Sequence, residues 1–129
     1  MTFVTAFILM VTSALPSPGA QATNCSSPGG RIRFLCEQED VSVRSRSRDV
    51  QTTFAVTNAD SQGYWFYLRC GQSGGVYDCR APREVWVDAG ETKVIPVTFS
   101  ITNQSGQLSL RIRAADDAVI ISKTVRVVG

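Results

Sequence analysis

The chain contains no histidine, and that absence removes much of enzyme chemistry. Serine and cysteine hydrolases that depend on an imidazole base cannot be built, nor can most hydrolytic metal centres. Lysine is scarce: of thirteen basic residues only Lys93 and Lys123 are lysines. The net charge of +2 is too small to imply a polyanionic partner by charge alone. The four cysteines include no CxxC pair, the spacing from which zinc sites usually draw their ligands. No window carries a capped helical repeat, and no apolar run reaches the roughly 20 residues of a membrane span.

Carboxylate chemistry survives these exclusions. Asp116-Asp117, Glu37-Gln-Glu-Asp40 and Asp78 near Glu84 are the candidate pairs. A glycosidase needs two carboxyls across a cleft. A small β domain offers loops instead, and Asp116-Asp117 lies in an evident turn. The expectation is therefore no enzyme, no cofactor and no metal.

What is present begins with a leader. The first thirty residues lack any charged side chain, and Phe3 to Leu15 is apolar with Thr and Ser interspersed. Pro16, Pro18 and Gly19 follow, then Ala20-Gln21-Ala22, the small-x-small pattern that signal peptidase reads. Residues 1–22 are thus expected to be a cleaved signal peptide and the protein secreted or otherwise extracytoplasmic. Thr23-Asn24 ahead of Cys25 lacks the small residue that lipidation requires, so Cys25 reads as a disulfide partner. In an exported chain Cys25, Cys36, Cys70 and Cys79 make two disulfides, with three pairings open. The local solution is Cys25–Cys36 and Cys70–Cys79, each bridge contributing on the order of 2–3 kcal/mol.

From residue 41 onward apolar and polar residues alternate, broken by turn residues. Val41 and Val43 share a face, as do Phe54 and Val56 before the turn Asn58–Gly63. Tyr64 to Cys70 and Val76 to Cys79 read as two strands, and Val85 with Val87 as another, ended at Asp88-Ala-Gly90. Ile95, Val97, Phe99 and Ile101 form the clearest alternation, closed by Asn103-Gln-Ser-Gly106. Leu108 to Ala114 and Val119 to Val127 complete the set. Seven to eight short strands at such spacing predict an all-β fold, an antiparallel β-sandwich. Pro96 cannot donate to a ladder, so its strand should lie at an edge or a bulge. The division is 1–22 leader, 23–40 disulfide-closed segment and 41–129 sandwich domain.

Phe54-Ala-Val-Thr-Asn58, Phe66-x-Leu-x-Cys70, Val85-x-Val-x-Ala-Gly-Glu91, the Ile95–Ile101 alternation and Gly106-x-Leu-x-Leu110 carry a resemblance. Between Gln51 and Val128 the chain resembles bacterial immunoglobulin-like domains of the CARDB type. That resemblance implies an immunoglobulin-like sandwich used at the cell surface for spacing, display or adhesion, and carries over no catalytic residue.

Two sets of side chains are candidates for a binding surface. With Phe66, Leu68 and Cys70 inward, Trp65, Tyr67 and Arg69 face outward, and so does Trp86 between Val85 and Val87. Trp65, Tyr67 and Trp86 on one face suit stacking against sugar rings or packing on a protein partner; cover by the Cys25–Cys36 segment is the competing outcome. Arg44, Arg46 and Arg48, at strand period, project to one side opposite Val41 and Val43, where they discourage edge pairing or meet an anionic surface polymer. The partner expected is a protein or a surface glycan, with no nucleic acid and no membrane span. The function expected is structural, adhesive or protein-binding. Two alternatives stand beside it: a small carbohydrate-binding module, and a secreted inhibitor acting through a disulfide-held Gly71–Tyr77 loop.

Overall fold

The computed structural model describes residues 23–37 and 39–128; the leader reading of 1–22 lies outside them. Every regular element described is a strand: β1 (Asn24–Ser26), β2 (Ile32–Leu35), β3 (Val41–Arg44), β4 (Val50–Asn58), β5 (Tyr64–Arg80), β6 (Glu84–Val87), β7 (Thr92–Ala114) and β8 (Asp117–Val128). All ladders are antiparallel except that of β3 with β8, which is parallel.

Two long strands create the architecture. The first part of β7 pairs with β4, from Thr57↔Thr92 to Val50↔Phe99. Its second part pairs with β8, from Gly106↔Val125 to Ala114↔Asp117. β5 accompanies β7 along both parts, from Tyr67↔Arg113 to Arg80↔Thr98. One layer is thus β1-β2-β4 with the start of β7 and the end of β5, and the other is β6 and the start of β5 with the end of β7, β8 and β3. Strands that switch layers through bends are a known way to turn a sandwich corner. The layers meet: the Lys123 ammonium of β8 donates to Thr52 Oγ1 (3.0 Å) and Thr53 O (2.6 Å) of β4 and sits 5.0 Å from the Phe54 ring centroid.

Glycine makes the corner. Between Gly74↔Gly106 and Val76↔Ile101, β5 advances by one intervening residue and β7 by four, Thr102–Ser105. The inner strand is pressed so tightly that a Cβ on Gly75 would stand 1.8 Å from Gln104 O, and one on Gly106 would stand 2.2 Å from Ser73 O. The Cys70–Cys79 disulfide joins the two arms of β5 across this bend, with Cα atoms 6.2 Å apart. Cys25–Cys36, at 5.3 Å, closes the β1–β2 hairpin. The segments 71–77 and 103–106, read from sequence as a loop and a turn, are therefore parts of continuous strands: Gly71–Gly74, Val76 and Tyr77 are laddered to β7 and Gly106 to β5 and β8, while Gly75 and Thr102–Ser105 form the bend.

The core follows period 2 within each arm. Ile95, Val97, Phe99 and Ile101 are buried before the bend of β7, and Leu108, Leu110, Ile112 and Ala114 after it. Phe54, Val56, Phe66, Val87 and Ile32 fill the space between the layers. Burying such side chains is worth about 1.5–3 kcal/mol each. Pro96 faces Thr53 on β4, while the ladder with β5 starts only at Thr98, so β7 has a single neighbour at the proline.

Candidate binding face

The first arm of β5 alternates in and out. Phe66 is fully buried and Leu68 nearly so, whereas Trp65 and Tyr67 are 45% and 43% exposed. β6 lies alongside, with Trp65 opposite Trp86 and Tyr67 opposite Glu84. The two indoles meet edge to face, centroids 5.6 Å apart at 73°, a preferred aromatic geometry. Trp86 remains 42% exposed. Its indole N–H donates to Asp88 Oδ1 at 2.7 Å, and its ring lies over Gly63, where a Cβ would come within 2.5 Å. The pair is therefore braced from below while its upper surface is open. β1 and β2 pack on β4 in the other layer and leave these aromatics uncovered.

On the other flank of β5, Tyr67 stands opposite Arg113 and Arg69 opposite Arg111. The Arg113 guanidinium lies 5.5 Å from the Tyr67 ring centroid, a cation–π contact. Ile120 of β8, 60% exposed, continues the row opposite Arg111. Two shallow depressions flank Tyr67: one of about 360 Å³ bordered by Arg69, Arg111 and Arg113, and one of about 660 Å³ bordered by Arg69, Arg83, Arg113 and Glu84. Arg80 at its rim is engaged by Asp49 at 2.5 Å. Among the described residues, Arg69, Arg83, Arg111 and Arg113 form no ion pair.

Asp117, Asp60, Asp116 and Asn58 at this end of the sandwich are engaged within the fold. Asp117 is buried; its Oδ1 accepts from Gly29 N (3.1 Å) and Ala118 N (3.0 Å), and its Oδ2 from Arg31 N (3.3 Å) and the Ser27 hydroxyl. Burial pulls its pKa upward, but these donors outweigh that and hold it below the ordinary aspartate value. Asp60 accepts from the Tyr64 hydroxyl (2.6 Å) and Arg31 Nε (3.2 Å); the tyrosine contact leads in lowering its pKa. Arg31 also donates to Asp116 at 2.7 Å. Asn58, fully buried, donates to Gln62 O (2.9 Å) and Val87 O (3.0 Å) and accepts from Asp60 N (3.0 Å). It locks the 58–63 turn to the end of β6, and so fixes where Trp86 stands.

No protein-family profile matches the chain, and no curated protein matches it. Solved structures do. The PapD-like domain 7 (ASH / PapD-like domain) of human CEP192 aligns with a TM-score of 0.56 at 8% identity, covering 88% of this chain and 93% of that one. An FixG-related protein from Vibrio parahaemolyticus aligns at 0.47 and 13% identity, over 66% and 91%. SSP-19, an MSP-domain-like protein of Caenorhabditis elegans, aligns at 0.47 and 13%, over 67% and 94%. The fold is an immunoglobulin-like β-sandwich.

Within this immunoglobulin-like domain the two candidate sets stand apart. Trp65, Tyr67 and Trp86 share one face. Arg44, Arg46 and Arg48 do not form a strand face: β3 ends at Arg44, and Arg46 adopts φ 61° in a turn. That turn caps the glycine corner, with Arg46 N bonded to Thr102 O and Ile101 N to Ser47 O, both 2.9 Å. Trp65 lies nine residues of strand from Gly74, about 30 Å at the usual rise, so the arginine turn is at the opposite end. The inhibitor reading through a projecting Gly71–Tyr77 loop also fails, because those residues are laddered to β7. Arg111 and Arg113 were missed from sequence as site residues. Their outward parity was visible beside Leu110 and Ile112, but the register placing them next to Tyr67 was not.

Proposed function

We propose that this chain is a non-enzymatic, extracytoplasmic binding domain, exported with cleavage after Ala22 and related to surface domains of the CARDB type. Its partner is a protein or a surface glycan, and its role is adhesive or structural. The observation that carries this reading is the gathering of Trp65, Tyr67 and Trp86, each more than two-fifths exposed, on one rigid sheet face. Large aromatics held open to solvent in this way mark contact surfaces. Of the candidate carboxylate pairs, Asp116-Asp117 is engaged within the fold: Asp117 is buried in hydrogen bonds and Asp116 is taken by Arg31. Two disulfides suit an oxidising compartment.

A photo-crosslinking amino acid placed at Ile120 or at Val94 tests this in the producing cells. Both side chains are exposed, at 60% and 62%, but they lie on opposite layers. Adducts from position 120 and none from 94 support the reading. Equal yields, or adducts from 94 alone, contradict it.

A further inference from the structure

The aromatic face carries more charge than the whole chain suggests. Tyr67–Arg113 and Arg69–Arg111 are directly opposed pairs, so their side chains stand about 5 Å apart across the sheet and about 7 Å apart along it. Arg83 borders the same depression. Four guanidiniums thus share a small area that, among the described residues, is bordered by one carboxylate, Glu84, and no ion pair among those residues neutralises any of them. Like charges held this close repel, and they stay together because the ladder fixes their Cα positions and the Tyr67 ring takes up the Arg113 guanidinium.

The arrangement sets the chemistry of the ligand. Arg69 on β5 and Arg111 and Arg113 on β7 occupy the middle strands beside Trp65 and Tyr67 of β5, with Trp86 on the β6 edge, so a ligand spanning the face meets aromatic rings and several guanidiniums together. A sugar chain has the complementary character, with apolar C–H faces on its rings and polar groups around them. Acidic sugars add carboxylates, which a guanidinium fork binds through two parallel hydrogen bonds.

We propose that the face formed by Trp65, Trp86, Tyr67, Arg69, Arg111 and Arg113 binds a linear polysaccharide bearing carboxylates. The chain crosses the strands with one sugar ring on the indoles and its acid groups on the guanidiniums. This rests on the reading of that face as the binding surface, and narrows its partner to one chemistry.

Three probes separate the contributions: polygalacturonate, the same polymer fully methyl-esterified, and poly-glutamate, which has carboxylates without sugar rings. Calorimetric titration of the purified protein is expected to show polygalacturonate bound at least tenfold more tightly than either control. That affinity should fall at least tenfold between 50 and 500 mM NaCl, as screening of exposed charges requires. Arg111→Gln/Arg113→Gln and Trp65→Ala should each weaken it at least tenfold, the first with no loss of thermal stability and the second with the protein still fully folded at the titration temperature. Poly-glutamate bound as tightly as polygalacturonate overturns the proposal, because charge alone would then suffice. The methyl ester bound as tightly overturns the role of the arginines while leaving the face a binding surface. Binding of none of the three overturns the ligand class, and the crosslinking experiment then judges the face independently.

Discussion

Gly75→Ala isolates the contact on which the whole architecture turns. The new Cβ would lie 1.8 Å from Gln104 O and 2.6 Å from Thr102 Oγ1. To reach even 3.0 Å from the carbonyl, the two backbones must part by 1.2 Å. The obstacle is main chain, so no rotamer change relieves it. Parting there breaks the pairings on either side, Gly74↔Gly106 and Val76↔Ile101. Two or three ladder hydrogen bonds at about 1 kcal/mol each, with the packing of buried Val76 and Ile101, give a loss of about 3–5 kcal/mol. A domain of this size has about 5–15 kcal/mol in total. Urea denaturation of the oxidised protein should show the midpoint fall, with a drop in Tm above about 10 °C. Gly30→Ala and Gly90→Ala serve as controls. Both positions have positive φ, 76° and 75°, but open space around them, so each should cost only about 1–2 kcal/mol. A loss at Gly75 below about 1 kcal/mol would refute the claim that β5 and β7 cross the corner in close backbone contact.

Asp117→Ala, which strips four donors of their acceptor, should destabilise by about 2–4 kcal/mol in the same denaturation assay. Because the folded pKa of Asp117 lies below its unfolded value, its stabilisation is complete above the unfolded value of about 4 and is lost as pH falls through the folded one. Asp117→Asn should therefore flatten the acid limb of a stability–pH profile measured below about pH 4. Asn58→Ala leaves two carbonyls and the Asp60 N–H without a partner and should cost about 2–4 kcal/mol. Asn58→Asp should be worse at neutral pH, since it sets a buried carboxylate against the Gln62 and Val87 carbonyls, and should recover on acidification; a thermal-melt series from pH 7 to pH 4 reads the difference.

The all-β character was legible because each strand buries one face, and period 2 survives wherever that holds, as in Ile95–Ile101 and Leu108–Ala114. The fusion of neighbouring strands was not legible. Gly74-Gly75 and Asn103-Gln-Ser-Gly106 have the composition of turns, and the same residues let a continuous strand bend without clash. The arginines at 44, 46 and 48 misled for the converse reason: strand spacing continued in the sequence after Arg46 had adopted a conformation that non-glycine residues rarely take. The candidate face was half legible. Parity placed Trp65, Tyr67 and Trp86 outward, but parity along one strand says nothing of register between strands, and only register brings Arg111 and Arg113 beside Tyr67. Asn58 and Asp117 were read as turn residues. Their burial depends on partners from distant segments, Val87 for one and Ser27 to Arg31 for the other.

The central claim is that ligand is bound on the β5–β6–β7 face and not at the arginine turn. Backbone amide chemical shifts recorded by NMR during titration with polygalacturonate test it most directly. The account predicts perturbations confined to residues 64–71, 84–88 and 109–114. Perturbations centred on residues 44–48 would contradict it.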